Sequence, residues 1–515
     1  MILGGPKSSG GQAGGQATLD VIFRRAAERR PHVIAISDPP NRANFSDGPP
    51  RRLSYAEANR IVDAIAARLR RLGLRTDTVV GIQLPNTIEG ALTILGVLRA
   101  GMIAAPLPLL WRRADAAAAL GRIGAKIIIT TSRVGDVDHC ELAMQVAAQI
   151  FPVRYVCGFG AGLADGVIPF DDLLATEACE EPPVVEREGN PAAHAAVVTF
   201  DVTPDGLVAV ARDHMQLIAA GAAAVLEGGL HHDAVILGCS TIDSFAGLSL
   251  TVLPWLLTGG TLVLHQPFDA VAFSVQCNFE RCDSVVVPGA LVPQLLAAGL
   301  LEHPELANVL AVWRAPERLL IAPPWRHASA RLTDMLVFGE IGLIGVRRGG
   351  DGRPSPPPVG EIWAPPGSPD AVLVAEVARG DAGTVALRGP MVPRHPFPPG
   401  AERLPAPHLR ADAAGFVDTG YACRVDRAAQ SMLVTGPPPG IVSVGGYRFV
   451  LSDLKELVRR ADGGGALTAL PDALAGHRLA GTARDRDAVR SALSALGANP
   501  LVADAFRDRH HPEAA

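Results

Sequence analysis

The hydrophobic positions of the N-terminal half follow two spacings, one typical of helices and one typical of buried strands. Apolar residues recur three or four positions apart at Ile61, Ile65, Leu69 and Leu72. The sequence Ser-Tyr-Ala-Glu at 54–57 precedes them and matches a capping box, in which the serine and glutamate side chains each accept a hydrogen bond from a backbone amide. Cap and spacing together predict a helix that begins near residue 54 and ends at Gly73.

Short apolar runs alternate with such helical segments. They predict buried strands at 79–84, 126–129, 195–200, 234–237, 261–265 and 284–287. Strands that alternate with helices predict an α/β fold, here a large N-terminal lobe of stacked, mostly parallel β-sheets with helices. After about Gly342, β-like runs between proline-rich loops predict a β-rich subdomain, and the pattern from Ile441 onward predicts a small α+β lobe.

Composition narrows the classes of function. Hydrophobic residues make up 48% and charged residues 19% of the chain, which is typical of a globular protein with a large core. The net charge of -5, without a basic run, argues against a nucleic-acid partner. The seven cysteines are scattered and form no CxxC pair, so we expect neither a metal site nor disulfides, and a cytoplasmic location. The most apolar stretch, 248–264, is broken by Pro254 and is too short for a membrane span.

Several motifs, in order, resemble the adenylate-forming superfamily of acyl-CoA synthetases, luciferases and peptide-synthetase adenylation domains. They lie at 53–57, 84–86, 96–101, 105–107, 415–420 and 445–449. The resemblance implies an enzyme that activates a carboxylate with ATP as an acyl-adenylate and passes it to CoA, while a small C-terminal lobe rotates. It also implies a domain division. We expect a disordered tail at 1–17, a large AMP-binding-like domain at 18–435, a proline-rich hinge at 436–440 and a truncated C-terminal domain at 441–515.

The segment that resembles the phosphate-binding loop comes after the strand at 195–200 and has lost its lysine. Only Thr203 and Gly206 keep the expected chemistry. Asp201 and Asp205 stand where the resemblance places phosphates, and like charges about 4 Å apart repel by about 4 kcal/mol at an effective dielectric near 20. We therefore interpret the segment as a plain strand–turn–helix connection.

The other nucleotide motifs are also altered. The family's Tyr-Gly-x-Thr-Glu falls on 338–342, where Phe338 and Gly339 match but the threonine and glutamate are replaced. Glu340 is a candidate displaced metal ligand, although we expect it to be a solvated loop residue. Tyr421 replaces the aspartate that grips the ribose hydroxyls in the family, and a phenol reaches at most one of them.

The C-terminal motifs have also lost the residues that the family uses. The hinge motif aligns with 436–440, where three consecutive prolines predict a stiff spacer. The family's catalytic lysine lies near its carboxyl terminus, and no lysine comes after Lys455 here. We therefore assign no catalytic residue.

Two other regions keep the character that the resemblance implies. The candidates for an acyl pocket are Asp243, Phe245, Val287, Pro288 and Gly289. Gly445 and Gly446 are candidates for a passage that admits the pantetheine arm of CoA, although a glycine pair also forms ordinary turns.

These motifs leave three hypotheses open. The leading one is a pseudoenzyme that binds an acyl or aryl carboxylate, its CoA thioester or a protein partner, because several ATP-linked positions are lost together. The second is an active acid–CoA ligase with a rewired nucleotide site that uses Glu340, Arg326 and Arg212, with ATP, magnesium and CoA as its cofactors. The third is ATP-independent acyl transfer or thioester hydrolysis. A homodimer is compatible with each of them.

Overall fold

The structure is a computed structural model that describes residues 16–174, 185, 187–327, 329–365, 367–462 and 465–507. Its strands, β1 to β26 in chain order, are Ile34–Ser37, Arg52–Ser54, Val79–Ile82, Ile103–Pro106, Ile127–Thr131, Arg133–Val134, Val137–Asp138, Tyr155–Phe159, Ile168–Pro169, Ala195–Thr203, Gly206–Asp213, Val235–Gly238, Thr261–Leu264, Ser284–Pro288, Asn308–Trp313, Arg331–Phe338, Gly342–Arg347, Gly360–Ala364, Val372–Arg379, Thr384–Arg388, Val417–Asp426, Ser431–Gly436, Ile441–Val444, Tyr447–Val450, Ala466–Asp472 and Gly476–Thr482.

The helices, α1 to α13, are Leu19–Arg29, Tyr55–Arg71, Ile88–Arg99, Arg113–Ile123, His139–Ala147, His214–Gly228, Phe245–Gly247, Leu253–Thr258, Ala270–Glu280, Val292–Ala297, Leu451–Asp462, Arg486–Ala495 and Pro500–Ala503. A π-helical turn at Leu248–Val252 joins α7 to α8. No helix in the described ranges is long and apolar enough to cross a membrane.

Two large sheets form the N-terminal lobe. One has eight strands in the order β17-β16-β15-β14-β12-β13-β1-β2, and the other has seven in the order β11-β10-β4-β3-β5-β8-β9. All neighbouring strands within them are parallel except the β16–β17, β1–β2 and β10–β11 pairs at the edges. One hydrophobic core joins both sheets through α2, α3, α6 and α8. The predicted α/β fold with mostly parallel sheets is confirmed.

Local signals placed several elements close to their observed ends. Helix α2 begins after Ser54, and both hydrogen bonds of the predicted capping box form with Glu57. Its apolar stripe, which includes Ile61, Ile65 and Leu69, is buried. Strands β18 to β22 form an antiparallel sheet, as the β-like pattern after Gly342 predicts.

The segment that resembles the phosphate-binding loop is a β-hairpin, so the predicted strand–turn–helix connection is wrong. Strand β10 continues past Phe200 to Thr203, and β11 returns antiparallel to it from Gly206. The turn consists of Pro204 and Asp205, and Thr203 Oγ1 donates a hydrogen bond to the Gly206 carbonyl at 3.0 Å. Cross-strand hydrogen bonds pair the backbone groups of β10 and β11, and α6 starts only at His214.

The residues from Ile441 onward form a four-stranded antiparallel sheet, β24-β23-β26-β25, packed with α11, α12 and α13. This lobe contacts the large lobe through several hydrogen bonds. Arg113 donates one to the Ala495 carbonyl at 2.8 Å, and the Ala114 amide donates one to the Gly497 carbonyl at 3.3 Å. The tail predicted at 1–17 lies almost entirely outside the described residues.

Candidate functional site

A cavity of about 570 Å³ lies between the two lobes, at the carboxyl ends of parallel strands in the eight-stranded sheet. Cys239, Pro288, Trp313 and Gly339 line it from the ends of β12, β14, β15 and β16. Strand β10 and the C-terminal lobe, at 443–448 and 473–476, complete the wall. Ligands of open α/β sheets bind at the carboxyl ends of the strands, so this cavity is the candidate site.

An ion pair between the lobes crosses the cavity. Arg448 of β24 donates a hydrogen bond to one carboxylate oxygen of Asp201 on β10, and the other oxygen accepts one from the Glu340 amide at 3.0 Å. Burial disfavours the charged form of Arg448, but Asp201 and its other partners outweigh that effect and raise its pKa. Gly339 permits the arrangement, since its φ is +56° and a Cβ there would lie 2.3 Å from Asp201 Oδ2.

Glu340 is buried, so the expectation of a solvated loop residue is wrong. The tight turn at Gly339 directs its chain inward, and only 7% of the residue is exposed. Its carboxylate accepts a hydrogen bond from the Phe245 amide at 2.7 Å. Burial raises the pKa of Glu340 to about 7; Arg314 opposes this shift and the charge of Asp201 adds to it.

The two arginines predicted for a rewired nucleotide site lie elsewhere. Arg212 is fully buried behind the cavity, with its guanidinium 3.7 Å from the Phe245 ring centroid. It donates hydrogen bonds to the carbonyls of Met391, Glu340 and Ile341, and burial lowers its pKa to about 9. Arg326 is exposed and does not line the cavity. Of the three charged candidates, Glu340 alone faces the cavity.

Phe338 and Tyr421 pack against each other instead of forming an open slot for a base. Their ring centroids are 5.5 Å apart in an edge-to-face arrangement, and Phe338 is fully buried behind Tyr421. The Tyr421 hydroxyl donates a hydrogen bond to the Arg314 carbonyl at 3.2 Å. Burial raises the pKa of Tyr421 to about 12, so its hydroxyl is a neutral donor at ordinary pH.

The acyl-pocket candidates divide into two groups. Asp243, Pro288 and Gly289 line the cavity, whereas Phe245 and Val287 are buried behind its wall. Gly289 lies against the Trp313 ring, where a Cβ would come within 2.4 Å of the indole. The structure therefore brings together only part of this predicted set.

Gly445 and Gly446 line the cavity in a tight turn of the C-terminal lobe. The Gly445 amide donates a hydrogen bond to the Ala475 carbonyl at 2.9 Å. Gly446 has a φ of +94°, and a Cβ there would lie 3.0 Å from the Arg314 side chain. Thr203 and Gly206, at the tip of the β10–β11 hairpin, do not line the cavity.

Arg314 and Trp313 are cavity residues that sequence reasoning missed. Arg314 donates a hydrogen bond to Ser244 Oγ at 2.6 Å, and the Trp313 indole donates one to Asp334 at 2.8 Å. Both stand at the end of the apolar run of β15, and this position at the carboxyl end of a parallel strand is the signal that could have found them.

The carboxylate of Asp201 at this end of the cavity already has partners within the protein. The described part of the chain holds no group of three or more His, Cys, Asp or Glu side chains able to bind a metal ion. The oxygens of Asp201 are already satisfied by Arg448 and by the Glu340 amide.

The sequence was compared with protein families and with known proteins. The family model for the AMP-binding enzymes matches residues 23–200. A 2-hydroxy-7-methoxy-5-methyl-1-naphthoate–CoA ligase of Streptomyces carzinostaticus is 26% identical across 90% of this chain and 83% of its own length. The family-model match in the N-terminal part and this relative together support an adenylate-forming, acyl-CoA ligase-like superfamily member.

A second relative is a salicyl-AMP ligase/salicyl-S-ArCP synthetase of Mycobacterium tuberculosis. It is 27% identical across 90% of this chain and 80% of its own length. The apo structure of MbtA from Mycobacterium smegmatis superposes with a TM-score of 0.62 at 21% identity and covers 94% of this chain and 90% of that one. That likeness supports the fold.

Proposed function

We propose that this superfamily member binds an acyl or aryl carboxylate, or its CoA thioester, in the cavity between the lobes without adenylating it. The ion pair between Asp201 and Arg448 carries the proposal. A triphosphate at the hairpin would have to displace Arg448 and then face the bare carboxylate. Two like charges about 4 Å apart repel by about 4 kcal/mol at an effective dielectric near 20.

The nucleoside positions support the same conclusion. Stacking on Phe338 would require Tyr421 to leave its edge-to-face contact and its hydrogen bond with the Arg314 carbonyl. Tyr421 also lacks the second acceptor that a carboxylate offers to a ribose. At the positions that the family resemblance assigns to the nucleoside, the protein's own side chains therefore contact each other.

The remaining space suits an apolar carboxylate or thioester. Small-molecule pockets typically have about 300–1,000 Å³, and the cavity falls within that range. Trp111, Phe200 and Trp313 give it aromatic walls. Two relatives carry the names of aromatic acids, naphthoate and salicylate, which favours an aryl ligand here as well. Gly445 has open space beside it at the lobe boundary, which suits a thioester arm, whereas Gly446 packs against the Arg314 side chain.

Calorimetry with Mg-ATP, a long-chain acyl-CoA and an aromatic acyl-CoA tests the proposal on the full chain. We expect heat from a thioester and none from Mg-ATP. ATP–pyrophosphate exchange with a panel of carboxylates is the second measurement. Formation of a stable acyl-adenylate would overturn the proposal.

An active acid–CoA ligase is the second candidate, and the position of Arg314 favours it. Its guanidinium faces the cavity beside Glu340, so a cation and a carboxylate are both present where a rewired site would need them. Under this alternative, Arg314→Ala abolishes acyl-CoA formation while Arg326→Ala, at an exposed position, leaves it unchanged. No turnover by the unmodified chain would exclude it.

A further inference from the structure

An exposed row of hydrophobic side chains, the α9 stripe, runs along the outer face of helix α9. Val271, Val275 and Phe279 stand four residues apart and are 74%, 50% and 66% exposed. Phe268, just before the helix, continues the row and is 44% exposed. None of these four residues lines the cavity between the lobes. An exposed apolar patch of this kind indicates an interaction surface.

The inner face of α9 fixes the orientation of the helix. Phe273 and Cys277 are buried in the core beneath it. The Gln276 side chain is buried as well and donates a hydrogen bond to the Leu264 carbonyl at 2.8 Å. A rotation that buried the α9 stripe would expose these residues and break that bond. The described part of a single chain therefore leaves the stripe uncovered.

The outer face of α9 also lacks charge. Within this helix, which the structure describes throughout, Glu280 is the one charged residue, and its carboxylate accepts two hydrogen bonds from Arg52 at 2.8 Å. Surface helices normally direct charged residues toward water, whereas the centre of a protein interface is depleted of charge and rich in aromatic residues. A helix that lies on a membrane carries lysine and arginine along its polar face, and α9 has neither. These features favour a protein partner.

The α9 stripe is complementary to a second copy of itself. Val275 stands at the middle of the helix, with Val271 four residues before it and Phe279 four residues after it. A two-fold axis through Val275 pairs two such helices antiparallel, so the smaller Val271 of each copy meets the larger Phe279 of the other. The same axis places Asp269, six residues before Val275, opposite Arg281, six residues after it. Both are exposed, and their charges are opposite.

We infer that α9 forms the centre of a two-fold interface between two copies of this chain. A stable interface covers about 800 Å² on each partner, which is more than four side chains supply. The polar residues around the stripe therefore form the rim of the interface. This surface lies outside the cavity, so the inference does not depend on which ligand binds there.

Sedimentation velocity of the full chain over a range of concentrations tests the interface. We expect a reversible dimer with twice the mass of the single chain. Val275→Asp places two carboxylates at the two-fold axis, and their repulsion should weaken dimerisation by about tenfold or more. Phe151→Asp is the matched control, because Phe151 is fully exposed outside α9, and it should leave the association unchanged.

Cross-linking tests the register of the two helices without relying on the aspartate variant. Helices packed about 8–10 Å apart bring facing Cα atoms to about 3.5–5.5 Å, which overlaps the range that a disulfide spans. Val275→Cys should therefore form an intermolecular disulfide when diamide accepts the two thiol hydrogens. Phe151→Cys and the unmodified chain should remain without a cross-link.

Three results would overturn the inference. One is a monomer at every concentration, or a dimer that folded Val275→Asp leaves intact. Another is a dimer in which Val275→Cys gives no cross-link, since that excludes a two-fold axis through this residue. The third is binding of the unmodified chain to anionic phospholipid vesicles that Val275→Asp abolishes, which would assign the stripe to a membrane. If circular dichroism shows that Val275→Asp does not fold, the cross-linking result decides.

Discussion

Buried ion pairs occur both within the large lobe and between the lobes, and their positions differ in what they do for the structure. Arg99, at the end of α3, is 2% exposed and donates hydrogen bonds to Asp20 at 2.6 Å, to Asp63 at 2.7 Å and to the Asn59 carbonyl at 3.1 Å. Arg448 is paired with Asp201 across the cavity. The first cluster joins three helices of the large lobe, whereas the second crosses the candidate site. A buried charge pair can therefore stabilise a scaffold or occupy space inside a site.

The largest expected effect comes from breaking the scaffold cluster. Arg99→Met removes the guanidinium and leaves Asp20 and Asp63 without their buried partner. We expect the free energy of unfolding to fall by about 3–5 kcal/mol, measured by chemical denaturation. Arg24→Met, which removes the more exposed partner of Asp20, is the control and should cost less than about 1 kcal/mol. Equal losses of unfolding free energy for the two variants would show that burial does not determine how much each arginine contributes to stability.

A smaller loss is expected from the cavity pair, since water can enter beside it. Arg448→Ala should lower the free energy of unfolding by about 1.5–3 kcal/mol. It should also speed proteolytic cleavage near the predicted hinge at 436–440, because one contact between the lobes is gone. Arg459→Ala, at an exposed helical position in the same lobe, should change neither quantity. Unchanged cleavage of Arg448→Ala would show that other contacts alone hold the lobes together.

The pH dependence of stability should report on Glu340, whose backbone amide donates a hydrogen bond to Asp201 of the cavity pair. The folded pKa of Glu340 is raised to about 7, so its contribution is fully present below its unfolded pKa, near 4.5, and is lost as the pH rises through about 7. We expect this residue to lower the stability by about 1–2 kcal/mol between pH 5 and pH 8. Glu340→Gln should flatten that part of the profile, whereas Glu402→Gln, at an exposed position, should leave it unchanged.

The smallest effect is expected at the hinge. Pro438 packs against Gly420, where a Cβ would lie 3.1 Å from the proline ring. Pro438→Ala keeps most of this contact but restores backbone freedom to the unfolded chain, so we expect a loss of about 0.5–1 kcal/mol. Cleavage at the hinge should rise less than in Arg448→Ala. A larger rise would mean that the prolines, more than the ion pair, restrict the lobes.

Sequence reasoning was accurate where the signal is local. The cap at Ser54 and the buried strands of the large sheets needed only neighbours a few residues away. It was wrong for the β10–β11 hairpin, because Pro204 and Asp205 signal a turn without specifying whether a strand or a helix comes after it. It was also wrong for Glu340, whose burial depends on a turn at Gly339 and on strands far away in the chain.

The sequence by itself determined the order of the elements, the mostly parallel α/β architecture and the superfamily motifs, because periodicity, capping and turn chemistry act over short distances. It also showed that the segment resembling the phosphate-binding loop contains no lysine. Only the tertiary structure decided which charges meet. Asp201 and Arg448 are 247 residues apart in the chain, and Asp243 is buried where Tyr447 of the second lobe approaches it. Such encounters depend on how the lobes pack, which no local pattern specifies.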